Sequence, residues 1–397
     1  MGNNTMKRIL ALDGGGIRGV FSLEVLLKIE QVLRGYYAKQ DPAKAETFVL
    51  RDHFDLLAGT STGAIIATCL CWGMSVERVM NLYLEHGPKM FQPLPWYRPI
   101  KKYLVAKFAA APISGMLESL FLEPDPQTGK LVPATLASPL LRNGEKNNLL
   151  LVVLRNHTTG SAWPLTNNPD AIYNRPGRPD CNTQIPLWRL VRASTAAPTF
   201  FPPERIQLGS SQYVFVDGSI TPYSNPALIA ALTAVLPGYC INWPTGPASL
   251  RVVSVGTLTF SSEMPVGDPK LWVGYFARSI PAALLQSMGW QQDYLCRCLG
   301  ECLFGEILDG EVGYLSEAMD AASKDRTGNR AYPAWRPRPE SWFSYVRYNR
   351  TFKKKEMQEI LLKYVDLGRI DAVGAIPHLR AIGKAYAEEN VKLEHLI

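Results

Sequence analysis

Phe54-Asp55-Leu56-Leu57-Ala58-Gly59-Thr60-Ser61-Thr62-Gly63-Ala64-Ile65-Ile66-Ala67 reads as a short apolar strand, a serine bracketed by two glycines, and a helix of small residues. That order suits a nucleophile elbow, in which a sharp strand-to-helix turn lifts the serine hydroxyl off the sheet edge and leaves no room for side chains at Gly59 and Gly63. A helix starting at Thr62 aims its N–H groups and its dipole at the same point, which favours negative charge developing there. Taken alone, residues 59–63 fit equally well a turn that uses Gly, Ser and Thr because turns do. A second motif has to decide.

That motif lies upstream. Arg8-Ile9-Leu10-Ala11-Leu12-Asp13 is a strand that ends in Gly14-Gly15-Gly16-Ile17-Arg18-Gly19, and a helix follows with Val20, Leu23, Leu26, Leu27 and Leu33 on one face. The loop matches Gly-x-Gly-x-x-Gly, so a nucleotide-binding protein using Gly14 to Gly19 is one reading. A dinucleotide fold wants an acidic residue at the end of the second strand, and that stretch here is still helix. No Lys-Ser/Thr follows the glycines, so a Walker A loop is excluded. An anion cradle for an oxygen fits better: successive glycines let backbone N–H groups converge, and Arg18 adds positive charge. Each motif follows a strand and opens a helix, so a parallel sheet would bring both to its carboxyl edge.

Together, Asp13-Gly14-Gly15-Gly16-Ile17-Arg18-Gly19 and Gly59-Thr60-Ser61-Thr62-Gly63 resemble the patatin-like phospholipases. Downstream, Ala193-Ser194-Thr195-Ala196-Ala197-Pro198 is similar to a family segment that packs a helix beside the site, with Ser194 structural. Asp217-Gly218-Ser219, at the end of the strand Tyr213-Val214-Phe215-Val216, matches the position of the family's aspartate, with Ser219 in place of a smaller residue. Residues 250–257 are another apolar strand ending in Gly-Thr. The resemblance implies a three-layer α/β/α sandwich with a mainly parallel central sheet. It implies a catalytic domain over residues 7–260 with a lid-like insertion at about 77–145. A mostly helical C-terminal extension over 261–397 would pack on or cap that domain.

The resemblance also implies a Ser61–Asp217 dyad without histidine, an oxyanion hole from Gly14, Gly15, Gly16 and Arg18, and an elbow set by Gly59 and Gly63. No cofactor and no metal are expected. Fatty acyl esters of phospholipids would be the substrates. Some bacterial members of the family are effectors of antiviral defence switched on by cyclic nucleotides, so a cyclic nucleotide activator stands as an alternative, and a homo-oligomer stays open. The rival mechanism is a Ser-Asp-His triad using His378 or His395, since Ser61, Asp217 and a histidine occur in that chain order. His53 precedes the elbow strand and so lies at its wrong end.

Composition agrees with an enzyme of this kind. The 397 residues are 47% hydrophobic and 19% charged, which excludes a disordered chain, and 30 prolines with 31 glycines argue against a helical bundle. Seven cysteines, an odd number, argue against a disulfide framework and for a reducing compartment. Cys296, Cys298 and Cys302 fit no common zinc spacing and read as buried thiols. The N-terminal residues show no apolar h-region, and the apolar run 227–236 is too short to span a bilayer, so a cytoplasmic protein is expected. The net charge of +7 suits an anionic surface. The interleaved Phe91, Trp96, Tyr97, Lys101, Lys102 and Tyr103 suit a lipid headgroup interface, so the expected partner is the inner face of a phospholipid membrane rather than a nucleic-acid polymer. Farther on, residues 164–186 read as loop, 342–348 as a strand, and 272–303, 353–367 and 376–393 as helices. Residues 330–339 read as loop, and Lys353-Lys354-Lys355 as a solvated charge run.

Overall fold

The computed structural model describes residues 6–91, 106–144, 146–260, 273–306, 341–352 and 367–397, with 273–279, 281 and 282 described by backbone alone. The aromatic and basic stretch from 92 to 105, the 330–339 loop, the Lys353–Lys355 run and nearly all of the 353–367 helix lie outside the described residues.

Strands β1 (Lys7–Leu12), β2 (Leu56–Thr60), β3 (Leu149–Asn156), β4 (Ser161–Thr166), β5 (Glu204–Leu208), β6 (Ser211–Asp217), β7 (Leu250–Val255), β8 (Glu301–Phe304) and β9 (Ser344–Tyr348) form one sheet. Its order is β8-β9-β7-β1-β2-β3-β6-β5, with β4 also paired to β3. Every neighbouring pair from β8 to β3 is parallel. Strands β4, β5 and β6 pair antiparallel. The sheet is thus mainly parallel, and the carboxyl ends of β1 and β2 lie side by side.

Alternation along β1 explains the layers. Leu10 and Leu12 point into a core shared with helices α1 (Gly19–Ala38), α2 (Thr62–Cys71), α3 (Val76–Met90), α4 (Leu187–Ser194) and, farther along the chain, α7 (Ile376–Asn390). Ile9 and Ala11 point into a second core shared with α5 (Ala227–Val235) and the end of α6 (Val273–Leu299). Because successive side chains of a strand face opposite ways, an almost wholly apolar strand is what a sheet covered on both faces requires. The result is an α/β/α sandwich. Residues beyond 260 belong to it structurally: β8 and β9 extend the sheet beside β7, α6 covers one face, and α7 packs on α1.

Three local readings are corrected. The helix read over 272–303 stops at Leu299, and Glu301–Phe304 form strand β8 instead. Residues 161–166 form a strand although Pro164 lies within it, and β4 pairs with β3 alone, where the missing N–H of proline is tolerated. Of the three clustered cysteines, Cys296 is buried but Cys298 and Cys302 are exposed. Cys296 and Cys298 sit two positions apart on α6, so a helical turn sends them to different faces.

Candidate active site

Ser61 occupies a backbone conformation that side-chain-bearing residues rarely adopt, with φ 55 and ψ −122. Close packing on either side holds it there. A Cβ at Gly59 would lie 2.2 Å from the Gly63 carbonyl oxygen, and one at Gly63 would lie 2.1 Å from the Leu12 carbonyl oxygen. The start of α2 is therefore pressed against β1 and β2, which is why both positions must be glycine. The Ser61 N–H donates to Ser194 Oγ at 2.9 Å, and that hydroxyl donates to the Val153 carbonyl at 2.7 Å. Ser194 is a brace for the turn, tying helix α4 and strand β3 to it.

Asp217 reaches Ser61 through the register of β3. Val153 pairs with Thr60 on one side and Pro164 on the other; the next residue, Leu154, pairs with Asp217 and Trp163. Since Pro164 and Trp163 belong to β4, Thr60 and Asp217 share the opposite side of β3. Strands β2 and β6 thus run towards each other in one lane and meet end to end. Ser61 Oγ donates to Asp217 Oδ2 at 2.6 Å, and the Ser219 N–H donates to Oδ1 at 2.7 Å. Asp217 is 2% exposed. Burial pushes its carboxyl up to about 6, against the opposing pull of the bonds from Ser61 and Ser219 and the charge of Arg192. A carboxylate at that level accepts a proton far more readily than an exposed aspartate.

The glycine loop lies against the same point, for a Cβ at Gly14 would sit 3.3 Å from Ser61 Cβ and 2.2 Å from Ser219 Oγ. Its three glycines are not equivalent. The Gly14 N–H already donates to the Ser224 carbonyl at 3.0 Å, and the Gly14 carbonyl accepts from Thr257 Oγ1 at 2.7 Å. The Gly15 carbonyl accepts from Arg18 Nε at 3.2 Å, while Arg18 Nη1 donates to the Leu258 carbonyl at 3.3 Å. Among the described residues, the N–H groups of Gly15 and Gly16 donate to no protein acceptor, and both glycines line the cleft. The guanidinium of Arg18 shapes the loop through these bonds, and burial lowers it to about 10. From the far end of the chain, the Ile370 carbonyl accepts the Ile17 N–H at 2.8 Å.

A cleft of about 730 Å³ opens above Ser61 and Asp217. Its lining includes the apolar Ile65, Met90, Phe91, Ile113, Phe200 and Phe201 and the polar or charged Asp293, Arg297, Glu306, Arg347 and Asn349. No histidine is among its described lining residues. His53 is instead held by Tyr37 and the Leu396 carbonyl, with burial lowering it to about 3. His395 bonds Tyr348 and stacks on Phe304. Reading the sequence alone missed Arg347 and Ile370, which carry no motif of their own, and gave Thr257 no role beyond the Gly-Thr end of a strand.

The family model described as patatin-like phospholipase matches residues 10–231. A cGAMP-activated phospholipase of Vibrio cholerae serotype O1 is 29% identical over 262 residues, covering 63% of this chain and 64% of the relative. A protein of the same name from Escherichia coli (strain TW11681) is 25% identical over 274 residues, covering 68% of this chain and 67% of the relative. The 85/88 kDa calcium-independent phospholipase A2 of Rattus norvegicus is 27% identical over 229 residues, covering 56% of this chain and 23% of the relative. The chain thus spans less than two thirds of the length of the Vibrio relative.

Proposed function

Because the chain belongs to the patatin-like phospholipase family, we propose that it is a lipid acyl hydrolase, cleaving fatty acyl esters of phospholipids through a Ser61 acyl-enzyme with Asp217 as base. The observation that carries this reading is the 2.6 Å bond from Ser61 Oγ to a buried carboxylate, both lining a cleft that also has many apolar residues. A hydroxyl is a weak nucleophile, so it needs both a base and a place for the oxyanion. In the proposed cycle Ser61 Oγ attacks the ester carbonyl carbon as Asp217 Oδ2 takes its proton. The N–H groups of Gly15 and Gly16 hold the oxyanion, while Gly14 and Arg18 keep the loop in shape. Asp217 then returns the proton to the leaving alcohol. Water attacks the acyl-serine with Asp217 again as base, which frees the fatty acid and restores the hydroxyl.

In the same proposal residues 7–260 carry the catalytic residues, with a lid-like insertion at about 77–145, and the described part of 261–397 packs on them and completes the sheet through β8 and β9. The apolar residues lining the cleft take the acyl chain and the charged ones meet the headgroup. Among the described residues no helix is long and apolar enough to cross a membrane; the proposed location is cytoplasmic, peripheral at the inner membrane face. Mass spectrometry of products from mixed phospholipid vesicles tests the reading. Lysophospholipid and fatty acid should appear with the wild type and not with Ser61→Ala, and equal product from both would refute it. The regiochemistry of the lysophospholipid assigns the A1 or A2 type.

The names of the two bacterial relatives, both cGAMP-activated phospholipases, favour a further, compatible reading in which a cyclic nucleotide switches the hydrolase on; that it does so as an effector of antiviral defence is part of the same proposal. Hydrolysis that stays constant across a panel of cyclic di- and trinucleotides would count against it.

A further inference from the structure

Asp13 is the residue from which the glycine loop departs, and it is clamped twice. Its N–H donates to the Val255 carbonyl at 3.1 Å. Its carboxylate receives both arms of the Arg347 guanidinium, Nη1 to Oδ1 at 2.9 Å and Nη2 to Oδ2 at 2.5 Å. The side chains are only 12% and 7% exposed. Arg347 is itself fixed, because it sits in β9 in register with Ser254 of β7 and donates to Ser254 Oγ at 2.7 Å. Asp293 approaches its Nε at 3.9 Å and is held in turn by Arg297.

A buried ion pair is a weak source of stability, since desolvation offsets most of the attraction and a well-packed apolar pair often does as well. What the pair does supply is orientation, because a planar fork on a carboxylate fixes both groups in direction as well as distance. Orientation matters here because the three residues after Asp13 are glycines, which have little conformational preference of their own. We propose that Arg347 is a positioning residue, which through Asp13 sets the direction of the Gly15 and Gly16 N–H groups towards the oxyanion. The proposal rests on the hydrolase reading above. It places a determinant of catalysis outside residues 10–231, the part of the chain that the family model matches.

The test is the preference for an oxoester over its thionoester, measured with p-nitrophenyl butyrate and the thiocarbonyl analogue on wild type and Arg347→Lys. A thiocarbonyl sulfur is larger and a weaker hydrogen-bond acceptor, so it draws little from a well-aimed pair of N–H donors. Lysine keeps the charge and loses the fork. With the donors misdirected, kcat for the oxoester should fall about 10- to 100-fold at nearly constant KM. The thionoester rate should change little, so the preference narrows by the same factor. The double variant Asp13→Asn with Arg347→Met removes the pair without leaving a buried charge unpaired, and it should show the same narrowing if the lysine variant does not fold. A preference that stays at the wild-type value, whether or not both rates fall together, overturns the proposal and leaves the hydrolase reading intact. A wild type inert towards the oxoester both without and with added cyclic di- and trinucleotides overturns both.

Discussion

Asp217→Asn should make the protein more stable and nearly inactive, and the size of each effect follows from the burial of one carboxyl. The folded protein holds the Asp217 proton to about 6, against an ordinary carboxyl value of 3.8. Between those values the folded state binds a proton that the unfolded state has released, so stability declines as the pH rises through that window. Above about 6 the ionised carboxylate is buried and the full penalty applies. It amounts to about 3 kcal/mol at pH 8 and about 1 kcal/mol at pH 4.5. Asparagine carries no such penalty. Its oxygen can still accept the Ser219 N–H and its amide can donate to Ser61 Oγ, so neither partner is orphaned.

Urea unfolding followed by tryptophan fluorescence should therefore show the variant more stable by about 3 kcal/mol at pH 8, with the gain shrinking towards zero as the pH falls past 3.8. Over the same range kcat/KM of the wild type should rise with pH through an apparent value near 6, since the base must be ionised to act. Above pH 6 the variant should lose about 10²- to 10⁴-fold, the usual contribution of a general base, and the loss should shrink at lower pH, where the wild-type carboxyl is itself protonated. Activity within tenfold of wild type at pH 8 would refute Asp217 as the base. A variant less stable than wild type at pH 8 would refute the claim that burial raises its proton affinity.

Other outcomes follow from single contacts. Ser194→Ala leaves the Ser61 N–H without its acceptor, so stability should drop by about 1–3 kcal/mol and kcat by about tenfold, read by thermal melting and an esterase assay. Gly63→Ala places a Cβ 2.1 Å from a backbone oxygen that cannot yield; circular dichroism should show little folded protein. His378→Ala and His395→Ala should keep activity within a few-fold, because no described histidine lines the cleft; a hundredfold loss with an intact fold in either would restore a histidine triad.

The two motifs were legible because each is local. A strand, a tight turn and a helix are specified within about ten residues, and the glycines announce where backbone must approach backbone: Gly59 on Gly63, and Gly63 on Leu12. The layering came from the resemblance, and the uninterrupted apolar strands, which demand cover on both faces, agree with it. Strand β4 was not legible, because whether Pro164 can sit in a strand depends on which of its sides has a partner. Nor could the three consecutive glycines reveal that Gly14 is already bonded to Ser224, a contact across the fold. Arg347 and Asp13 lie 334 residues apart, and neither residue type at its position signals the other.

The proposed dyad divides along the same line. Asp217-Gly218-Ser219 can nominate a carboxylate, yet an aspartate at the end of an exposed strand would stay a poor base. What makes it a better one is the register of β3, which sets Thr60 and Asp217 on consecutive residues of one side, so that β2 and β6 close on each other and exclude water from the carboxyl. A slip of β6 by one residue would turn Asp217 to the other face of the sheet and return its side chain to another environment, with the motif unchanged. The proposed nucleophile is therefore a property of fourteen contiguous residues, whereas the pH at which it would work is a property of how three strands meet.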